Sequence, residues 1–188
     1  MHILLVCSGV VALAEIGDKT QLLALVLAAR FKKPLPIILG ILAATLANHG
    51  LAALVGTTLA DWLHSDIFKW GLAFSFIAMG LWTLVPDALD GADSKIAQGG
   101  AFAATLISFF VVEIGDKTQI ATVALAAQYQ DIAAVTAGTT LGMMLANVPV
   151  VLIGEQAGTR LPMAAIRIAA ACTFIALGAM TILSILMG

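Results

Sequence analysis

One heptapeptide occurs twice, unchanged, inside long apolar segments, and it constrains this chain more than any other feature. Residues 15–21 read Glu-Ile-Gly-Asp-Lys-Thr-Gln, and residues 113–119 read the same, 98 positions later. The similarity extends further, because residues 76–80 and 174–178 share Phe, Ile and Gly in the same places at the same offset. The pattern therefore predicts one structural unit that the chain contains twice.

The composition places both units in a membrane. Of 188 residues, 61% are hydrophobic and only 11% are charged, whereas a soluble domain is about half apolar and a quarter charged. Aromatic residues make up 6% and glycine is frequent, with 17 residues, which favours close-packed membrane helices. The net charge of −2 argues against nucleic-acid binding.

Six apolar segments are predicted to cross the membrane, on the basis of about 20 residues per crossing. They are Ile3–Ala29, Leu35–Leu59, Trp70–Val85, Gly99–Ala127, Ile132–Ile153 and Ile168–Met187. We expect a first three-helix repeat over 1–86, an acidic cytoplasmic linker over 87–98 and a second three-helix repeat over 99–188. The linker aspartates, Asp87, Asp90 and Asp93, are interpreted as a solvated loop or as a funnel that attracts cations.

An odd number of spans per repeat has a topological consequence. The second repeat must enter the membrane from the opposite side, so the two halves should be related by a two-fold axis in the membrane plane. Such inverted repeats are typical of transporters that expose one central site alternately to each face. The predicted fold is an all-α membrane protein with six transmembrane helices arranged as two inverted three-helix repeats.

The orientation follows from the basic residues of the loops. One side of the membrane carries nearly all of them: Arg30, Lys32, Lys33, Lys95, Arg160 and Arg167. The other side carries Lys69. Because cytoplasmic loops are enriched in Lys and Arg, the first side is predicted to be cytoplasmic, with both termini outside.

The acidic residues that fall inside the predicted spans all belong to the heptapeptide: Glu15, Asp18, Glu113 and Asp116. A charged side chain at the bilayer centre costs at least about 2.5–3.5 kcal/mol, so these acids need partners. In each copy the two acids are spaced i, i+3 and share one face of a helix. If the inverted halves bring those faces together, four carboxylates meet near the middle of the membrane.

The charge of this predicted cluster indicates a divalent cation. Four acids with Lys19 and Lys117 as charge-balancing partners sum to −4 + 2 = −2, which one divalent ion would neutralise. Protons could replace that ion, because crowded and desolvated carboxylates bind them more readily. All the expected donors are oxygens, which suits Ca²⁺, Mg²⁺ or Mn²⁺ better than Zn²⁺ or Cu⁺. Additional candidates for metal binding or the proton path are Thr20, Gln21, Asn48, Thr118, Gln119 and Asn147.

Two structural interpretations stay open at this point. The spacing of Glu15 and Lys19 also permits an ordinary i, i+4 salt bridge that only supports helix packing. His49 lies within a predicted span, and its counterpart in the second repeat is Val148. A packed, hydrogen-bonded histidine is the ordinary interpretation, whereas His49 as a ligand would shift the preference toward Mn²⁺.

Two copies of Glu-x-Gly-Asp-Lys/Arg-Thr/Ser, one in each half, resemble the MneA-type manganese exporters. Their relatives include Golgi and chloroplast Ca²⁺/Mn²⁺ transporters, and the group is placed near the lysine-exporter superfamily. The resemblance covers essentially the whole chain. It implies that a divalent cation, Mn²⁺ or else Ca²⁺, is exported across a bacterial inner membrane in exchange for protons. The ion is then a substrate, and the resemblance implies no cofactor and no catalytic residue. The family's motif acids correspond to Glu15, Asp18, Glu113 and Asp116, its lysines to Lys19 and Lys117, and its hydroxyls to Thr20 and Thr118.

Other functions are compatible with a buried acidic cluster. An exporter of a cationic metabolite such as lysine would use similar acids, and a passive channel would differ in lacking proton coupling. Asp18 and Asp116 could also form the dyad of an intramembrane aspartyl protease. The chain contains no G-x-x-x-x-G-K-[ST] nucleotide-binding motif, so an ion gradient is expected to drive transport. Whether the protein forms a homo-oligomer is left open.

Overall fold

The structure is a computed structural model that describes residues 1–62, 66–85, 97–153 and 163–187. Within those ranges the regular structure is α-helical and comprises eight helices. In chain order they are α1 (His2–Glu15), α2 (Lys19–Phe31), α3 (Pro34–Trp62), α4 (Asp66–Thr83), α5 (Ala101–Glu113), α6 (Lys117–Tyr129), α7 (Ile132–Ile153) and α8 (Met163–Met187). Most of the predicted linker, including its three aspartates, lies outside the described residues.

Three segments in the described part of the chain are long and apolar enough to cross a membrane. They are Pro34–Ala60 in α3, Ile132–Ile153 in α7 and Arg167–Met187 in α8. Helices α1 and α5 and most of α4 are also apolar but shorter. The helical membrane class is therefore confirmed, whereas six spans in two inverted repeats stay a prediction.

The two predicted spans that carry the heptapeptide are each divided into two helices. The sequence predicts continuous spans over 3–29 and 99–127, but the structure has α1 and α2 in the first and α5 and α6 in the second. The chain leaves helical geometry at Ile16 and Ile114, which are extended, and then takes positive φ at Gly17, 81°, and at Gly115, 74°. An α-helix requires negative φ, so neither helix can continue through the glycine, and α1 and α5 end at the same point of the repeat.

The short helices α2 and α6 also end in the same way. Lys32 and Gln130 adopt left-handed backbone angles, with φ of 52° and 51°. Their N–H groups donate to Ala28 O at 3.0 Å and to Ala126 O at 2.8 Å. A left-handed residue that satisfies a terminal carbonyl is a common helix C-cap. Pro34 then begins α3, where its missing N–H costs nothing.

Several of the main helix contacts have an equivalent when the two repeats are exchanged, whereas those of α1 with α8 and of α4 with α6 have none of comparable extent. Helix α1 packs on α7 as α5 packs on α3, while α4 packs on α8 and α3 packs on α7. Helices α1 and α2 have almost no contact with each other, and each packs mainly on helices of the second repeat. The two repeats are therefore intertwined and do not form separate domains.

Glycines allow close backbone approach where equivalent helices meet. A Cβ atom at Gly80 would lie 3.0 Å from Ala171 O, and one at Gly178 would lie 2.8 Å from Ala73 O. Gly80 in α4 and Gly178 in α8 are equivalent positions of the repeat. Each therefore opens a space for the other helix, as small residues do in membrane helix packing.

Candidate functional site

Each heptapeptide forms a tight turn between two helices. Glu15 is the last residue of α1, Ile16 has φ of −63° and ψ of 117°, and Gly17 has φ of 81°. The Asp18 N–H donates to Glu15 O at 2.9 Å. These values define a type II turn, whose third position requires positive φ and hence favours glycine. The second copy forms the same turn around Gly115, closed by a hydrogen bond of 3.0 Å.

The aspartate of each copy caps the helix that follows the turn. Asp18 Oδ1 accepts from the Lys19 N–H at 2.8 Å, and Asp116 Oδ2 accepts from the Thr118 N–H at 3.4 Å. Aspartate is among the preferred residues at this position because its oxygen satisfies a free N–H of the first turn. The sequence therefore fixes both acids beside the break in the helix.

The glutamine of each copy closes the turn from the other side. Gln21 Oε1 accepts from the Gly17 N–H at 2.8 Å, and Gln119 Oε1 accepts from the Gly115 N–H at 2.7 Å. Gln21 Nε2 also donates to Ala146 O at 3.1 Å. The amide oxygens that the sequence suggests as ion ligands are thus engaged by the backbone of the turn.

All four acids are removed from solvent. Glu15, Asp18 and Glu113 have no exposed surface, and 3% of Asp116 is exposed. The motif threonine donates to the motif glutamate in both copies, from Thr20 to Glu15 Oε1 and, at 3.3 Å, from Thr118 to Glu113 Oε2. The threonines therefore lie in the same polar cluster as the acids.

The two copies meet through crossed ion pairs. Lys19 Nζ lies 2.6 Å from Asp116 Oδ1, and Lys117 Nζ lies 3.1 Å from Asp18 Oδ1. Each lysine thus reaches the aspartate of the other repeat, although 98 residues separate equivalent positions. The acids of both heptapeptides consequently face one another in one buried cluster.

Helices α3 and α7 add polar side chains to the cluster, but not symmetrically. Asn147 Nδ2 donates to Glu15 Oε1 at 3.1 Å, whereas Asn48 Nδ2 donates to the backbone oxygen of Phe110 at 3.0 Å. The two asparagines are equivalent in the repeat, yet only Asn147 contacts a glutamate through these bonds. Both were candidate ligands from the sequence.

The contact on Glu113 comes instead from His49, the residue that follows Asn48. His49 Nε2 lies 3.5 Å from Glu113 Oε2, and both side chains are fully buried. The sequence identified His49 as the residue that breaks the repeat, but it could not place the imidazole against a particular acid.

One neighbour of the cluster was missed by sequence reasoning. Met143 Sδ lies 3.1 Å from Asn147 Nδ2, and the Met143 side chain is fully buried. Nothing in the sequence distinguishes it, because it is one of seven methionines in a largely apolar chain.

Several polar atoms of the cluster have no hydrogen-bond partner among the described residues. They are Glu15 Oε2, Glu113 Oε1, Asn147 Oδ1 and His49 Nδ1. A buried polar atom left unpaired costs about 1–3 kcal/mol. Such a set indicates a site that a ligand can satisfy.

The structure has the donors near one another but not in a closed coordination shell. Within the described ranges, no three His, Cys, Asp or Glu residues have the geometry to hold a metal ion. The lysine ammonium groups lie against the two aspartates instead. A cation that used all four acids would therefore have to move the lysines.

One cavity lies away from the acids. It has a volume of about 400 Å³ and is bounded by α3, α4, α6 and α8, with Lys69, Gln128 and Ser184 among its polar lining residues. Gln128 is ten residues beyond Thr118, which is about 15 Å along α6 at 1.5 Å per residue. None of the four acids is among the residues that line this cavity.

Comparison with known proteins gives a family match over most of the chain. A family model described as "Divalent cation/proton antiporter GDT1" matches residues 3–91 and 101–187. The chain is 57% identical over 168 residues to the "Putative manganese exporter" of Vibrio cholerae serotype O1, an alignment that covers 89% of this chain and 84% of that protein. It is 28% identical over 172 residues to a GDT1-like protein of Synechocystis, covering 80% of this chain and 82% of that protein. No solved structure matches the chain.

Proposed function

Because the chain belongs to the GDT1 family of divalent cation/proton antiporters, we propose that it exports Mn²⁺ from a bacterial cytoplasm in exchange for protons. The proposed site is formed by Glu15, Asp18, Glu113 and Asp116. Because this family consists of transporters, membership also excludes the hypothesis that Asp18 and Asp116 form a protease dyad. The chain is therefore not an enzyme.

The observation that carries the proposal is the crossed pairing of the lysines. Lys19 and Lys117 each contact an aspartate of the other repeat, which requires both acidic patches to occupy one place. With those two pairs neutral, Glu15 and Glu113 carry the remaining charge of −2. One divalent cation or two protons would neutralise it equally, which supports exchange of one for the other.

The helix breaks suit a cation site in a transporter. The C-terminal ends of α1 and α5 coincide with Glu15 and Glu113, and a helix C-terminus carries partial negative charge. Discontinuous helices that meet at the interface of two inverted repeats are the usual setting of such sites. We therefore interpret α1 with α2, and α5 with α6, as two broken spans within a six-span fold that works by alternating access.

The proposal of Mn²⁺ as the transported ion rests on the ligand atoms of the site and on the similarity to the Vibrio cholerae protein. Carboxylate, amide and hydroxyl oxygens suit Mn²⁺, Ca²⁺ and Mg²⁺, so the oxygens alone do not select among them. The Vibrio cholerae relative carries the name "Putative manganese exporter". An imidazole near Glu113 favours a transition-metal ion over Ca²⁺ or Mg²⁺.

Uptake by proteoliposomes tests this function directly. Purified protein is reconstituted with a pH-sensitive dye inside, and Mn²⁺, Ca²⁺ or Mg²⁺ is added outside. We expect Mn²⁺ influx to be accompanied by proton efflux. In Asp18→Asn and Asp116→Asn the influx should fall by about two orders of magnitude, since a charged partner of the ion is lost.

Asp131→Asn is the matched control, because Asp131 is an exposed acid outside the cluster. Its Oδ1 accepts from the Ala134 N–H at 2.9 Å and so caps the start of α7. Asparagine retains such a cap, so transport should be unchanged. Unchanged flux in both cluster variants would refute the site, and Mn²⁺ flux without proton movement would refute the exchange.

A further inference from the structure

We propose that His49 is a ligand of the transported ion and that it makes the site prefer Mn²⁺ to Ca²⁺ and Mg²⁺. This inference rests on the proposed function, because it adds a nitrogen donor to the same carboxylate site. It is carried by the position, the unpaired atoms and the asymmetry of His49.

The imidazole is buried without the partners that a buried imidazole normally has. His49 has no exposed surface, its Nδ1 has no hydrogen-bond partner within the described residues, and its Nε2 has a contact of 3.5 Å with Glu113 Oε2. Buried polar side-chain atoms are nearly always hydrogen-bonded. A histidine kept only for packing would have both nitrogens satisfied, whereas the neutral imidazole of His49 can offer its unprotonated nitrogen to a ligand.

The Nε2 atom of His49 faces an acid that has an unpaired oxygen. His49 Nε2 lies 3.5 Å from Glu113 Oε2, and Glu113 Oε1 has no hydrogen-bond partner among the described residues. If one ion bound both His49 Nε2 and Glu113 Oε2 at about 2.1 Å, the angle at the ion between these two atoms would be about 110°. The observed separation is therefore compatible with one ion shared by His49 and Glu113.

The second repeat has no metal-binding side chain at the position equivalent to His49. Glu15 receives a hydrogen bond from the amide of Asn147 at 3.1 Å, and the residue after Asn147 is Val148. Stabilising a buried glutamate thus needs only an amide in this fold. The imidazole beside Glu113 brings a metal-binding nitrogen that the other half lacks.

A single nitrogen donor is enough to discriminate among the candidate ions. Ca²⁺ and Mg²⁺ take oxygen ligands almost exclusively, whereas divalent ions of the first transition row accept imidazole readily. Replacing His49 by a residue with an amide oxygen should therefore weaken the binding of Mn²⁺ more than the binding of Ca²⁺.

Pulsed electron paramagnetic resonance of bound Mn²⁺ tests the ligand itself. The protein carries His2→Gln and His64→Gln, so that His49 is its one histidine, and Mn²⁺ is added to the purified full chain. We expect nitrogen modulation in the spin echo that changes when the histidine is labelled with ¹⁵N. Because the labelled protein keeps His49, the measurement does not depend on whether a His49 variant folds.

Transport selectivity gives the second measurement. In His49→Gln the ratio of initial Mn²⁺ to Ca²⁺ uptake should fall by about tenfold or more, as expected for loss of one ligand interaction. Val148→Ala changes the equivalent position of the other repeat and should leave the ratio unchanged.

The outcomes separate this inference from the proposed function. Mn²⁺ that binds and is transported without a histidine nitrogen signal would overturn the role of His49 while leaving the exporter intact. An unchanged Mn²⁺ to Ca²⁺ ratio in His49→Gln would also overturn it. Absence of Mn²⁺ binding and transport in the unsubstituted protein would refute the proposed function, and the ligand role would fall with it.

Discussion

At the scale of single residues, the two crossed ion pairs are alike in chemistry but differ in environment. The Lys117 side chain is 6% exposed and its partner Asp18 is fully buried, whereas the Lys19 side chain is 25% exposed. Charges attract more strongly where water is excluded. Removing one member of a buried pair also leaves a charge that water cannot solvate.

We expect Lys117→Met to lower the free energy of unfolding by about 3–5 kcal/mol, the usual cost of breaking a buried pair. Lys19→Met should cost less, because solvent reaches that pair. Denaturant unfolding in mixed micelles measures both. The double variant Asp18→Asn with Lys117→Met should recover part of the loss, and equal losses in the two single variants would contradict this account.

At the scale of elements, the heptapeptide contains the residues that end one helix and begin the next. Glycine supplies the positive φ of the turn, aspartate caps the next helix and glutamine closes the turn from behind. The glutamate, as the last helical residue, is thereby placed beside the capping aspartate. The same seven residues therefore build the turn and carry the acids.

The glycine of the second turn can be tested without disturbing any contact. A Cβ atom at Gly115 would have no neighbour within 4 Å, but its φ is 74°. Gly115→Ala should therefore lower stability through the backbone alone, by about 1–2 kcal/mol. Gly115→Asn should cost less, because asparagine tolerates left-handed angles. Thermal unfolding in detergent measures these differences.

Gly71 provides the control for this prediction. It lies within α4, and a Cβ atom there would also meet nothing within 4 Å. Gly71→Ala should be neutral or stabilising, since alanine is the better helix former. If Gly115→Ala and Gly71→Ala had the same effect, the turn would not depend on its positive φ.

At the scale of the whole molecule, the two repeats form one intertwined body. Helices α1 and α5 pack on α7 and α3 of the opposite repeat, and α4 packs on α8. The contacts of α1 with α7, α5 with α3 and α4 with α8 thus join the two repeats. They also mean that neither half can move without shifting contacts made by the other.

Inversion predicts that equivalent loop positions lie on opposite faces of the membrane. Lys33 and Asp131 are 98 residues apart, are both exposed and follow α2 and α6. In a background with Cys7→Ala and Cys172→Ala, we expect Lys33→Cys to react with an impermeant thiol reagent from the cytoplasmic side. Asp131→Cys should react from the outside.

The cysteine-free background, without either introduced cysteine, is the control for reagent specificity. Labelling of both positions from the same face would refute the inverted arrangement, and labelling of each from the face opposite to that predicted would reverse the orientation of the termini.

The sequence by itself determined the membrane class, the duplication and the identity of the acids in the cluster. These are local properties, because insertion cost, helix signals and an exact repeat can all be read within short segments. It did not predict the division of two spans into four helices, although the glycine and aspartate that cause it are in the motif. Only the tertiary structure decided that each lysine pairs across the repeats, that Asn147 contacts Glu15 while Asn48 bonds to the backbone, and that His49 faces Glu113. Those contacts join segments far apart in the chain, and they depend on side-chain packing between helices that no local pattern encodes.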